Sequence, residues 1–418
     1  MIPKSTKTRN ARNTRKTTLF GVFRVFVCFV VLQSVGSAQI FTQRGFLEGS
    51  LVGYPQEAPN DPTQLVGDFL ARDEVFVAAT PWLRLAAGLD FRANSHDQVD
   101  DSWAVDFTDR TVRRPRLSIR RAAATLTRGP FTLDAGKQFI RWGRADIVTP
   151  TDRFAPRDFL NVFDNELLGV TGVRAAFDTG AGTLEAVATR FTPSRPPLVD
   201  QRWAVLPPGV PPPTAPLLRT YPDAPQVGVR FNHAGSGFDW SASYFDGNNY
   251  LPNIEATGLS FPPMRMVGGD AAVPLRWLTV KGEAAYFASS SPTTDEYVLY
   301  VIQLERQSGE WVFVGGYAGE VVTNARSTTP VTFAPDRGMT ESFVGRASYT
   351  IDVNRSFAIE AAVRTSGDGA YAKVEYSRAY GQHWRATLAG VGIAGQSGDF
   401  IGQYHRNSHA TVALRYSF

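Results

Sequence analysis

Nine arginines, Arg84, Arg92, Arg116, Arg120, Arg174, Arg230, Arg346, Arg364 and Arg385, recur through the chain beside mostly apolar neighbours. Each carries a planar fork of donors that matches a carboxylate or a phosphate, so a set facing one enclosed space would favour anions. Lys281, Lys373 and Arg415 fall in the same pattern, as do the acids Glu48, Asp90, Asp134, Glu283, Glu305, Glu360 and Glu375. With those acids as partners the same arginines would instead be cross-strand pairs that hold a wall together. The residue types alone allow both. A second concentration of charge comprises Arg141, Arg144, Asp146, Asp152, Arg153, Arg157 and Asp158, stiffened by Pro150 and Pro156 and flanked by Trp142 and Phe154. A loop near 143–168 with both charge signs, two prolines and two rings is expected to fold inward as a constriction and present donors to a passing anion. The alternative is an external loop packed on its own side chains.

Enzyme chemistry has little to work with, and no catalytic residue, cofactor or metal site is nominated. His96, His233, His383, His405 and His409 are the histidines. His405 and His409 would share a face on a strand, yet no third ligand accompanies them. Asp97, Asp100, Asp101, Asp106 and Asp109 crowd one segment and read as a solvated acidic loop before they read as a Ca²⁺ site. Serines are many, but no spacing suggests a Ser-His-Asp triad. The single cysteine, Cys28, lies in an N-terminal apolar run, so no disulfide and no thiol chemistry is expected beyond it.

The elements that position these groups are short alternating strands. Ala410, Val412, Leu414, Tyr416 and Phe418 take one parity, and His409, Thr411, Ala413, Arg415 and Ser417 the other. Leu83 to Arg92 and Ser342 to Ile351 alternate likewise, which gives each strand one apolar and one polar face. Connections separate a barrel from a soluble sandwich. Short turns centre on Thr80-Pro81, Gly129-Pro130, Gly180-Ala181-Gly182, Gly235-Ser236-Gly237, Pro274-Leu275, Ser308-Gly309, Asn354-Arg355 and Gly381-Gln382. Between them lie loops near 94–112, 143–168, 192–223, 246–262, 289–295, 322–340, 367–369 and 396–407. Strict alternation of short and long connections predicts an all-β transmembrane antiparallel up-and-down barrel. With a first strand near 45–54, about 18 strands follow, 16 being the other even count. Trp82, Phe131, Phe238, Trp277, Trp311, Phe357 and Trp384 each follow a short turn, as a ring at a lipid–water interface would. Phe91, Phe139, Phe191, Tyr244 and Tyr286 are candidates for the opposite girdle. Residues 192–223, with Pro207-Pro208 and Pro211-Pro212-Pro213, make a stiff loop, either a lid or exposed decoration.

The first residues stand apart. Lys4, Lys7, Arg9, Arg12, Arg15 and Lys16 precede an apolar run from Leu19 to Val35, broken by Arg24, and then Gly36-Ser37-Ala38. A charged head, a short apolar core and small residues predict a signal peptide over 1–38, cleaved after Ala38, with the barrel over 39–418. The 43 basic residues less the seven in this leader leave 36 against 39 acidic ones. Net charge therefore offers no case for nucleic-acid binding.

The run Gly136-Lys137-Gln138-Phe139-Ile140-Arg141-Trp142-Gly143-Arg144-Ala145-Asp146, with Pro150-Thr151-Asp152-Arg153-Phe154-Ala155-Pro156-Arg157-Asp158, resembles outer-membrane channels of the alginate-export type and related substrate-specific porins. The likeness covers roughly 133–160 and the terminal Tyr416-Ser417-Phe418, and Lys137 stands where those families often carry arginine. The resemblance implies an eighteen-stranded, arginine-lined channel for small or oligomeric anionic solutes, carboxylates or acidic sugars. Expected partners are outer-membrane lipid and lipopolysaccharide, those solutes, and the barrel assembly machinery through Phe418. A surface adhesin or assembly scaffold with an occluded barrel is the alternative. A lipid hydrolase is disfavoured for want of a nucleophile site, and a siderophore receptor because few residues before the first strand could form a plug.

Overall fold

The computed structural model describes residues 40–205, 218–235, 237–255, 258–327 and 333–418. The leader and cleavage position expected from the sequence, Cys28 and the prolines at 207–213 lie outside the described residues. Eighteen antiparallel strands close on themselves. They are β1 (Phe41–Gly53), β2 (Leu65–Thr80), β3 (Leu83–Asn94), β4 (Arg114–Arg128), β5 (Phe131–Gln138), β6 (Val170–Asp178), β7 (Thr183–Thr189), β8 (Gln226–His233) and β9 (Asp239–Asn248). The circuit continues through β10 (Pro263–Pro274), β11 (Thr279–Ala288), β12 (Glu296–Ser308), β13 (Trp311–Asn324), β14 (Ser342–Asp352), β15 (Arg355–Arg364), β16 (Ala370–Tyr380), β17 (Trp384–Ala394) and β18 (His409–Ser417). Each pairs with the next, and β18 returns to β1 with Leu47 opposite Tyr416. Closure leaves no unpaired sheet edge, which is how a barrel avoids the exposed donors and acceptors of an open sheet. All eight short turns fall between the strands that the sequence separates, and the first strand begins four residues before the expected Gly45.

Alternation sets two faces. On β3 Leu85 points outward, and on β14 Phe343 does, while Asp90 and Ser342 on the opposite parity are buried inside. Trp82, Phe131, Phe238, Trp277, Trp311 and Trp384 are all exposed, and Phe357 is half-exposed, forming one ring at the short-turn end. Tyr244 and Tyr286 are exposed further up, and Phe91 meets Phe69 edge-on at 6.3 Å. Phe139 and Phe191 do not join that second ring. Phe139 lies past the end of β5, under the guanidinium groups of Arg120 (4.7 Å) and Arg121 (5.3 Å). Phe191 is buried against Phe261.

Regular pairing fails at two places, and both re-aim charged side chains. A register shift between Gly88 and Leu89 leaves Arg120 without a partner on β3, so Arg120 and Arg121 turn to the same side. β5 also stops at Gln138, with Lys137 opposite Ala122, so the start of β4 lacks a β5 partner. Val99–Ala104 pairs parallel with that stretch instead. Lys137, on the parity of Ala135, is fully enclosed there and donates to Asp109 (2.6 Å) and to the Asp106 carbonyl (3.1 Å). The acidic segment 97–109 is thus largely paired, with Asp97 on Arg113 and Asp101 on Arg116.

Candidate functional site

From Phe139 the chain leaves the wall and rejoins it at Val170. Its first arm lies on the inner faces of β7 to β12. The Glu283 carboxylate accepts hydrogen bonds from the backbone N–H groups of Arg144 (3.1 Å), Ala145 (3.2 Å) and Thr151 (2.8 Å), and from the Thr151 hydroxyl (2.9 Å). Gly143 makes that approach possible: its φ is +89°, and a Cβ there would sit 2.6 Å from both Glu283 oxygens. Gln303 accepts from the Asp146 N–H (2.8 Å) and donates to its side chain (2.5 Å), which also receives Lys281 (2.8 Å). Arg144 reaches Asp270 (2.6 Å) and Asn232 (2.5 Å). Beneath this polar frame Ile140, Trp142 and Phe154 form one buried cluster with Phe245, Met264, Met266, Phe287 and Leu299. Trp142 meets Phe154 edge-on at 5.0 Å, and its indole N–H donates to Glu185.

The apex of the arm closes on itself. Arg141 pairs with Asp152 (2.9 Å), which also accepts the Trp142 N–H (3.0 Å). Burial raises the Asp152 carboxyl above its ordinary value, and those two donors only partly offset it. Arg153 is buried between the Tyr250 and Phe287 rings and reaches Asp336 (3.3 Å).

The second arm crosses to the other wall. Arg157-Asp158 pairs antiparallel with Glu166-Leu167, and Arg157 donates to Asn165 (2.8 Å). Asp158 takes both arms of the Arg114 fork at 3.0 Å and a further bond from Arg195. Burial would raise its pKa, but the two guanidinium groups outweigh that and hold it well below the carboxylate range. Glu166 accepts from Arg72 (3.0 Å) and Arg92 (2.8 Å), both of which also bind Asp90. Against the upward push of burial, Arg92 and Arg72 bring Glu166 down to about 2. Between the arms, Phe159 and Val162 enter a cluster with Trp203, Tyr371, Ile393 and Tyr404, so the segment spans the barrel from β11 to β16 and β17. Beside it lies a cavity of about 110 Å³ bounded by Asn161, Asp164 and Glu166 of the loop and by Glu48, Ser50, Asp68 and Arg92 of the wall.

The other arginines divide into held and free. Arg120 lies 3.7 Å from Glu166, Arg174 bridges Asp134 (3.3 Å) and Glu185, Arg230 meets Asp270 (2.9 Å), and Arg364 meets Asp399 (2.7 Å). Arg116 is taken by Asp101 at the mouth. Arg84, Arg346 and Arg385 are exposed and have no ion pair among the described residues. Alternation alone missed Arg72, Arg114, Arg121, Arg195, Glu74, Glu166, Glu185 and Asp270. Arg72-Asp73-Glu74 puts charges on both faces of one strand, which defeats a parity count, and the bulge that turns Arg121 inward leaves no mark in the sequence. His405 and His409 do not share a strand face: His405 sits in a 3-10 turn bonded to the Gly402 carbonyl, and His409 opens β18.

No family model matches the sequence, and no curated protein matches it. Solved structures do match. OccAB4 of Acinetobacter baumannii superposes with a TM-score of 0.56 at 10% identity, over 92% of this chain and 100% of that one. A BenF-like porin from Pseudomonas fluorescens Pf-5 gives 0.54 at 9% identity, over 92% and 99%. OccK3 of Pseudomonas aeruginosa gives 0.52 at 9%, over 90% and 95%. At such identity the likeness establishes the fold alone. It is a likeness to substrate-specific porins, and the alginate-export side of the resemblance rests on residues 133–160 only. The chain has the closed eighteen-stranded antiparallel barrel of a porin.

Proposed function

We propose that this barrel is an outer-membrane channel through which small anionic solutes, carboxylates or acidic sugars, diffuse passively past an inward constriction loop. The observation that carries the reading is segment 139–169 docked inside a closed porin-like barrel, with a polar cavity of about 110 Å³ beside it that is bordered by Arg92. An outer face that exposes Leu85, Val267, Ile302, Leu388 and Val412 between two aromatic rings suits hydrocarbon and not water. The anionic preference rests on the three free arginines and on Arg92 at the cavity, against Glu360, Asp164 and Asp68 as inner acids with no ion pair among the described residues. The leader over 1–38 would send the chain through the inner membrane, and lipopolysaccharide would surround the long-loop end. Phe418, whose backbone pairs with Gly45 at 3.0 Å in both directions, would be the residue read by the assembly machinery. Planar-bilayer recording of the purified barrel in a salt gradient tests this: open-channel current with an anion-selective reversal potential is expected. The aromatic cluster across the mouth favours a second reading, an occluded scaffold, which the same recording would reveal as a barrel that inserts without conducting.

A further inference from the structure

The outer wall carries a groove of about 640 Å³ across β12 to β15. Its floor is Gly315 and Gly345, directly opposite each other, with Ala347 and Ala361, and its sides are Leu304, Phe313 and Ile359. Neither glycine is required by the fold. A Cβ at Gly315 would meet nothing nearer than 3.6 Å, and one at Gly345 nothing nearer than 3.5 Å. Gly316 beside them is different, since its Cβ would strike the Ile302 carbonyl at 2.1 Å. Both floor glycines have ordinary negative-φ backbone. Side chains would fit there, and their lack is what makes the groove. At its short-turn end the groove meets Arg306, exposed and without a hydrogen bond or ion pair among the described residues. Trp311, which follows the turn next to it, and Trp277 of the neighbouring turn are exposed at the same end, as at a headgroup level.

We propose that the groove is a site for one glycerophospholipid of the periplasmic leaflet, with an acyl chain on the Gly315–Gly345 floor and its phosphate on Arg306. The occupant follows from the charge and the level. The groove is apolar where hydrocarbon would lie and offers one outward unpaired guanidinium, that of Arg306, where a phosphodiester would lie; Glu305 and Arg346, which also border it, have the inner parity. The short-turn end places it in the leaflet opposite lipopolysaccharide. The inference rests on the outer-membrane reading, but not on conduction.

Native mass spectrometry of the full barrel, released from nonionic detergent after titration with dioleoylphosphatidylethanolamine, tests it. The parent should retain one lipid per chain, and dioleoylglycerol, which lacks the phosphate, should be held about ten-fold more weakly. Arg306→Gln should fall to the level of dioleoylglycerol, and Gly345→Leu or Gly315→Leu should abolish retention by filling the floor. Gly390→Leu, outside the groove on β17 with nothing within 4 Å of its Cβ, should retain lipid like the parent. Equal retention by Gly345→Leu and the parent, by the two lipids, or by lipopolysaccharide in place of phospholipid would overturn the site. Failure of the channel reading shows separately, as a barrel that holds the lipid and carries no current.

Discussion

The inner wall of this barrel has two halves of opposite character. From β9 to β12 the loop-end inward side chains Phe245, Met264, Met266, Ala285, Phe287, Leu299 and Val301 are all buried. Below them Asp270, Glu283 and Gln303 hold the docked arm, and the outward face is mostly apolar apart from Arg265 and Arg306. From β14 round to β3 the inward set is polar, with Arg346, Glu360, Lys373, Arg385, Arg415, Glu48 and Asp90. The difference follows what covers each half: the first arm of segment 139–169 packs along the first, whereas on the second the segment reaches the patch around Tyr371 and Ile393 and leaves Arg346 and Arg385 exposed. A strand with two apolar faces is thus the mark of a docked segment. It shows that charge on an inner face follows what that face touches, and being inside a barrel is not enough.

Removing the segment should break the comparison outright. Deleting residues 147–159 takes Phe154 and the Thr151 anchor from the apolar half. Open-channel conductance should rise at least roughly two-fold and discrimination among solutes should fall, as expected of a widened pore. An unchanged conductance from a folded, inserted deletion protein would mean that the segment is not the constriction. Phe154→Ala is the milder form, costing about 3–5 kcal/mol of packing if the space does not collapse. It should increase proteolysis within 143–168 while leaving the barrel intact.

A smaller change addresses the polar frame. Glu283→Ala leaves the N–H groups of Arg144, Ala145 and Thr151 without their acceptor. Each buried donor stranded in this way costs about 1–3 kcal/mol. Current traces should become noisy as the first arm detaches. The matching cut on the open half, Glu360→Ala, breaks no ion pair and should leave the noise unchanged.

The second arm offers a pH test. Glu166 is held at about 2 against an ordinary value of 4.5, so its contribution is complete above 4.5 and is lost as pH falls through about 2. Asp158 is depressed in the same direction by Arg114 and Arg195. The arm should therefore stay docked at neutral pH and loosen only in strong acid, seen as rising conductance below pH 4.5. Glu166→Gln should flatten that part of the profile, and a profile unaltered by it would place the acid-sensitive contact elsewhere.

Much of the architecture was legible in the sequence because turn length and aromatic position survive averaging over strands. Thr80-Pro81, Gly129-Pro130 and the other turns fall where the strands change direction, and the rings after them mark one rim. Trp142, Phe154 and Asp152 marked a segment that the sequence left either docked inward or packed outside on its own side chains, and the burial of the two rings against Phe245 and Met266 places it inside. What parity could not show were effects made by contact. Met264 and Phe287 read as ordinary strand residues until Ile140 and Trp142 cover them. Glu166, remote in sequence from Arg72 and Arg92, becomes their partner only when the chain crosses the lumen. The excess of arginine seen along the strands is thereby largely neutralised.

That neutralisation makes the last expected effect the smallest. If the paired arginines frame the loop and only Arg84, Arg346 and Arg385 act on solute, replacing these three by Gln should move the reversal potential modestly toward cations. Stability should hardly change, because exposed arginines without partners contribute little to folding. Arg174→Gln, on β6 beside the docked arm, removes a bridge between Asp134 and Glu185 and should act on stability before selectivity. It leaves two acids with one fewer cation and should lower thermal stability, since breaking a part-buried pair strands its partners. Arg346 is the sharpest single site, because Glu360 stands opposite it in register without closing an ion pair. A free guanidinium beside an uncommitted carboxylate can take a passing anion or turn to its neighbour, so Glu360→Gln should raise anion selectivity while Arg346→Gln lowers it. If both substitutions leave the reversal potential in place, the open half is as neutral as the packed half, and selectivity lies with the loop and its neighbours Arg92 and Arg120.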